Sequence, residues 1–233
     1  MQVTKTMKIT LVAAAVLAAG VVYLWRGLAP RPPEGPDMTA AREALNRKDY
    51  DAIVGQVQTK PVSEAGAYVR ALGKLGLPAQ PALNRLLDRR NEPRLEVRAK
   101  AATALNATLP ADQPKDAFGE SVKALVESLR RDPAHEVRVS AATTLGLSRS
   151  YETMDDLIDA MNDEQIEVRR AALAAVNKIL CLKLDYNVED EKPQRDAFLK
   201  ILKNQWHDEK YQSKVVGYYR TGRFKTVYRK YAR

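Results

Sequence analysis

The residue types able to do chemistry are few in this chain, and their spacing argues against a catalytic centre. The two histidines, His135 and His207, lie far apart in sequence, each in a polar stretch, and read as solvated helix-end residues rather than a metal pair. A single cysteine, Cys181, excludes an intramolecular disulfide and a cysteine-rich zinc site. Its place in the apolar run 176–182 makes it a buried structural thiol rather than a nucleophile. Asp155, Asp156 and Asp159 are a concentrated acidic group of the kind that exchanges protons with a substrate when set in a cleft. They alternate, however, with Met154, Leu157, Ile158 and Met161, the apolar stripe of a helix, and so read as its solvated or partner-facing side. No glycine-rich phosphate loop, Gly-x-Ser-x-Gly turn, His-Glu-x-x-His helix or EF-hand pattern occurs. The expectation is a protein without a catalytic centre, metal or cofactor.

The other chemistry available is charge. The formal charge of +9 sits at the two ends: residues 1–36 carry four basic side chains and one acidic, residues 206–233 carry eight and two, and residues 37–205 carry 26 of each. The C-terminal stretch 206–233 also holds five of the ten tyrosines, with Phe224. Interleaved with Lys214, Arg220, Arg223, Lys225, Arg229 and Lys230, these rings suit an anionic polymer or a lipid headgroup layer. The alternation of Phe224, Thr226 and Tyr228 with Lys225, Val227 and Arg229 leaves open a strand that pairs with another chain, and a disordered appendage is the third reading.

The elements that position these groups follow from an internal repeat. Residues 96–106 (EVRAKAATALN), 136–146 (EVRVSAATTLG) and 167–177 (EVRRAALAAVN) align without gaps at intervals of 40 and 31 residues, the range of stacked helix pairs. On a helix, Val97, Ala101 and Leu105 share one stripe, as do Val137, Ala141 and Leu145, and Val168, Ala172 and Val176. Small alanines in that stripe let a neighbouring helix approach closely. The opening glutamates face water. Arg98, Arg138 and Arg169 fall at the margin of the buried face, where a guanidinium can reach a carboxylate or carbonyl of the adjacent repeat. Asp132, followed by Pro133, and Asp163 read as N-caps of the second and third copies.

Between the copies lie second helices with their own apolar spacing: Leu83, Leu86 and Leu87; Val122, Leu125, Val126 and Leu129; Met154, Leu157, Ile158 and Met161. A degenerate earlier copy is placed with Tyr68, Val69 and Arg70 at the Glu-Val-Arg positions, and residues 39–45 and 50–57, with Asp49 as a cap, form a divergent first pair. Phe198, Ile201 and Leu202 close the array after a loop over 183–193, and residues 108–117 form an edge loop. In such solenoids the second helices line the concave surface that extended partners occupy. Here they expose Arg85, Arg89 and Arg90, then Lys123, Glu127 and Arg130, then Glu152, Asp155, Asp156 and Asp159, a change of sign along the array that would orient a charged protein partner.

The Glu-Val-Arg-x-x-Ala-Ala-x-x-Leu core, the upstream Asp-Pro and the Leu145-Gly146 ending resemble the short HEAT repeats of the phycobilisome-lyase type, over roughly residues 62–206. The resemblance implies a fold. Its implication for activity is weak, because such repeats serve adaptors, assembly factors and a few enzymes, and no residue motif for bilin handling is present to carry over.

Residues 9–25 (ITLVAAAVLAAGVVYLW) are uncharged, flanked by Lys5, Lys8 and Arg26, and as a helix would span roughly 25 Å, the lower end of a bilayer crossing. An anchor, a cleaved secretory signal and a buried core helix are the three readings; the apolar run past Gly20 favours the anchor. Four prolines within residues 30–36 make a stalk. The expectation is therefore all-α: one N-terminal transmembrane helix (1–28), a Pro-rich linker (29–37), an α-solenoid of about four to five antiparallel helix pairs (38–205) and a basic Tyr-rich tail (206–233). It describes a single-pass membrane scaffold with an extracytoplasmic body that binds a protein partner. A lyase-like or ligand-handling HEAT enzyme and a nucleic-acid or anionic-polymer binder are the alternatives.

Overall fold

The computed structural model describes residues 36–109 and 119–220, and separates the chain into two compact units, Met1–Gly35 and Pro36–Arg233. The apolar run 9–25, the proline stalk, most of the 108–117 loop and the tail beyond residue 220 lie outside the described residues. Among the described residues no helix is long and apolar enough to cross a membrane.

Among the described residues the second unit has eleven α-helices, the first ten of them in antiparallel pairs. The pairs are α1 (Thr39–Asn46) with α2 (Tyr50–Gln58), α3 (Val62–Gly73) with α4 (Gln80–Leu87), α5 (Leu95–Leu105) with α6 (Gly119–Arg131), α7 (His135–Leu147) with α8 (Met154–Ala160), and α9 (Ile166–Leu180) with α10 (Lys192–Trp206). A further helix, α11 (Glu209–Arg220), follows α10. The first helices α3, α5, α7 and α9 pack side by side as one layer, and α2, α4, α6, α8 and α10 form the second. Residue pattern explains this division. The stripes Val97/Ala101/Leu105, Val137/Ala141/Leu145 and Val168/Ala172/Val176 are fully buried, while Glu96, Glu136 and Glu167 are exposed.

Small residues set the spacing within the first layer. A Cβ added at Gly146 would lie 2.6 Å from both Cα and Cβ of Ala175, and one at Gly73 would lie 2.9 Å from the Ala104 carbonyl oxygen. The Thr144 hydroxyl donates to the Ala102 carbonyl at 2.9 Å, joining α7 to α5 inside that layer. Asp49 caps α2 by accepting from the Ala52 N–H at 3.1 Å.

Three details depart from the sequence reading. The first helices α3, α5, α7 and α9 all begin one residue before the Glu position, at Val62, Leu95, His135 and Ile166. By that register Ser63 stands where the clean copies have Glu and Ala65 where they have Arg, so the Tyr68-Val69-Arg70 alignment is five residues out; Tyr68 and Val69 are the buried counterparts of the paired alanines. The N-caps are Ala134 and Gln165 rather than Asp132 and Asp163, and the two aspartates accept instead from the N–H of those cap residues, at 2.9 and 2.8 Å. Finally, the body does not stop at residue 205. Trp206 is a buried part of α10, and α11 packs on the array through buried Val215 and through Tyr219, which stacks on Tyr151 with ring centroids 5.2 Å apart.

Candidate functional site: tie-bars and the second-helix face

Among the described residues a row of buried arginines, Arg98, Arg138 and Arg169, runs along one edge, where the turns leading into the first helices come together. Arg98 gives Nε and Nη2 to the two carboxylate oxygens of Asp132, at 2.8 and 2.9 Å, and its Nη1 to the carbonyls of Glu92 and Pro93. Arg138 repeats the arrangement one repeat on, with both bonds to Asp163 at 2.9 Å and Nη1 on the carbonyls of Asp132 and Pro133. In each, a planar fork fills its own repeat's turn and the next repeat's acid at once, which a lysine cannot do. The Asp163 bonds raise the proton affinity of the Arg138 guanidinium above its ordinary value, against the opposing effect of burial.

The row has two ends, and each is finished differently. Arg169 keeps its Nη1 bonds to Asp163 and Glu164 carbonyls, but its Nε goes to the Val188 carbonyl at 2.8 Å, while the neighbouring Glu189 pairs with Arg170. At the other end Ala65 occupies the arginine position, and fully buried Glu92 has no donor from the preceding repeat. Arg94 supplies the missing connection: it pairs with Glu92 and donates to the carbonyls of Lys60 (2.7 Å) and Val57 (3.1 Å) in the preceding turn. Its hydrogen bonds to Glu92 raise its proton affinity.

On the second-helix layer the charged side chains singled out from the sequence are brought together across repeats. Arg85 of α4 pairs with Asp51 of α2, Arg130 of α6 with Asp156 of α8, and Lys203 of α10 with Asp159 of α8. His207 Nε2 lies 2.8 Å from Asp155, whereas His135 sits 3.5 Å from its neighbour Glu136. Lys123 pairs with Glu120 and Glu127 with Arg131 within α6. The sign change along the array is thus largely used in lateral pairing between second helices. Most of these pairs are exposed and screened, and contribute little to stability; Asp156, expected at the surface, is instead only 11% exposed beneath Arg130. Arg89 is the exception to the pairing: it is exposed and makes no hydrogen bond or ion pair among the described residues.

Two further arrangements had no signal in the sequence. Cys181 ends α9 in a left-handed conformation (φ 55°), and its Sγ lies 3.4 Å from Nη1 of buried Arg149, itself left-handed at the end of α7. Tyr219 of α11 closes over this corner and donates to the Ile179 carbonyl; burial holds its phenol well above the usual range. The second is a groove between α4 and α6, lined by Asn84, whose buried Oδ1 has no hydrogen-bond partner. No group of acids, histidines and cysteine able to hold a metal occurs among the described residues. Of the tail cations, Lys214 is exposed on α11. The Arg220 side chain, Arg223, Lys225, Arg229 and Lys230 lie outside what the structure describes.

Stacked hairpins joined by buried arginine tie-bars define an α-solenoid. Residues 122–211 match the family described as HEAT repeats, so that stretch consists of HEAT repeats. No curated protein matches the sequence. Among solved structures, a chain in the complex of CpcE and CpcF of phycocyanin lyase from Nostoc sp. PCC7120 is similar over 72% of this chain and 96% of that one, at 16% identity and a TM-score of 0.45. So distant a likeness carries no information on activity.

Proposed function

We propose that this protein is a membrane-anchored scaffold without a catalytic step, whose HEAT-repeat body binds a protein partner across the second-helix layer. The observation that carries the reading is the division of labour between the two layers. The first layer spends its polar groups on buried tie-bars, while the second presents Lys123, Glu127, Arg130, Asp155 and Asp159 in weakly held surface pairs that a partner can exchange for its own, beside the exposed Arg89. The uncharged run 9–25 supports the anchor, with the body on the extracytoplasmic side, and the basic tail supplies a second contact to an anionic polymer or lipid surface.

The test is site-specific photocrosslinking in cells. A crosslinker at Lys123, Arg130 or Asp155 is expected to trap one recurrent protein, and the same group at Glu136 or Glu167 on the first layer to trap none. Crosslinks confined to the first-layer positions would overturn the reading.

A further inference from the structure

A cavity of about 450 Å³ lies where the start of α8, the end of α10 and α11 meet, within the ~300–1,000 Å³ that ligand sites occupy. Glu152 and Asp155 line it, together with half-buried Tyr151 and Val216, buried Trp206, and Gly217. Among the described residues no cation does. Asp155 meets His207, yet its side chain stays 47% exposed, and Glu152 is exposed as well. A surface pair of that kind holds weakly and is readily exchanged. Acids and rings thus stand together in a space that solvent reaches.

The chain itself supplies the complement. The helix α11 ends at Arg220, one turn past Val216 and Gly217 in the cavity wall, or ~5 Å along the helix axis. Residues 221–233, which follow, hold Arg223, Lys225 and three further basic side chains, three aromatic rings and no acid. At about 3.3–3.6 Å per residue, the stretch from Thr221 to Phe224 reaches roughly 13 Å, enough to turn back over the cavity. A short tether also raises the effective concentration to the order of millimolar, so contacts too weak to hold a free peptide suffice. We propose that this cavity is the docking site of the chain's own C-terminal segment, with Arg223 and Lys225 paired to Glu152 and Asp155 and the Phe224 ring set against Tyr151 and Val216. The inference goes beyond the scaffold reading above: it gives the tail a site on its own body, occupied where no anionic surface takes the tail up.

The test places the photoreactive analogue p-benzoylphenylalanine at Phe224 of the full-length protein, in non-ionic detergent without added lipid. An equal mixture of isotopically heavy and light protein is irradiated and the products are mapped by mass spectrometry. The expected result is a crosslink within one chain, joining the probe to residues 151–155 or 212–217. Glu152→Lys combined with Asp155→Lys should lower its yield by about five-fold or more, through two lost pairs and the repulsion that replaces them. Adding Arg223→Glu and Lys225→Glu should restore it, which a merely misfolded variant would not show. The wild-type yield should also fall between about 0.05 and 1 M salt, a measurement that needs no variant. Crosslinks that join heavy to light chains would give the cavity to a second copy and overturn docking within the chain. No crosslink, crosslinks spread along the array, or a yield indifferent to both charge reversal and salt would overturn it as well. The partner protein plays no part in this measurement, so the scaffold reading stands or falls by its own crosslinks.

Discussion

At the scale of single residues the contrast that matters is between pairs inside the tie-bar row and pairs on the second-helix surface. Asp132 and Arg98 are almost wholly enclosed, each side chain 4% exposed, and removing the carboxylate strands a guanidinium away from water. Asp132→Ala is expected to lower stability by about 3–5 kcal/mol. The carboxylate's bond to the Ala134 N–H is lost with it. Arg85→Ala breaks a pair whose acid, Asp51, is 85% exposed, and should cost below about 1 kcal/mol. Urea midpoints of the two variants against wild type decide the point; equal midpoints would mean that the buried row contributes no more than the surface pairs. The acids of this row were legible in the sequence as residues but not in role. Glu92, Asp132 and Asp163 each stand four positions before the repeat's glutamate. Reading Asp132 and Asp163 as caps accounts for a backbone bond; that Arg98 and Arg138 reach the adjacent repeat was legible, but not that these two acids receive them.

At the scale of helices, glycine separates packing from propensity. Gly55 lies inside α2 with open space where a Cβ would go, so Gly55→Ala should stabilise by about 0.5–1 kcal/mol through helix propensity alone. Gly146→Ala carries the same propensity gain of about 1 kcal/mol, but its methyl meets Ala175 Cα at 2.6 Å, a backbone atom that moves only with its helix. The close approach wins, and the variant should be less stable by about 1–3 kcal/mol. Melting curves of the two single variants should therefore shift in opposite directions. The first layer was readable because its stripes keep the same i, i+4, i+8 spacing in all three clean copies, although the copies themselves are unevenly spaced. The earliest repeat was misregistered because Tyr68 and Val69 replace the alanine pair and Ala65 replaces the arginine, leaving Val69-Arg70 as a false match. The helix α11 was hidden by composition: tyrosines and lysines at 209–220 look like the start of a tail, yet Val215 and Tyr219 give it an apolar side that packs.

At the scale of the molecule, the second unit has its own core from Met38 to Val215. A chain beginning at residue 29 should stay helical and melt as the full-length protein does, checked by circular dichroism after fractionation. Loss of helix would make the 9–25 run part of the fold. The C-terminal cut belongs after Arg220 rather than after Gln205, since the earlier cut removes buried Trp206 and all of α11. Residues 221–233 hold five basic side chains and no acidic one. Truncation after Arg220 should therefore weaken binding to anionic vesicles and flatten its dependence on salt. Unchanged binding in a vesicle flotation assay between low and physiological salt would remove the tail from recognition.

Two of the tie-bars run forward along the chain, while Arg94 reaches back to Lys60 and Val57. Arg98 reaches forward to Asp132 and Arg138 forward to Asp163, and the row closes on a main-chain carbonyl at Val188. As the polypeptide leaves the ribosome, each of those two guanidinium groups therefore emerges before the carboxylate that will receive it. A growing array would carry at its leading edge a cation that water still solvates until the next hairpin supplies its acceptor, and N-terminal repeats are expected to fold first during synthesis.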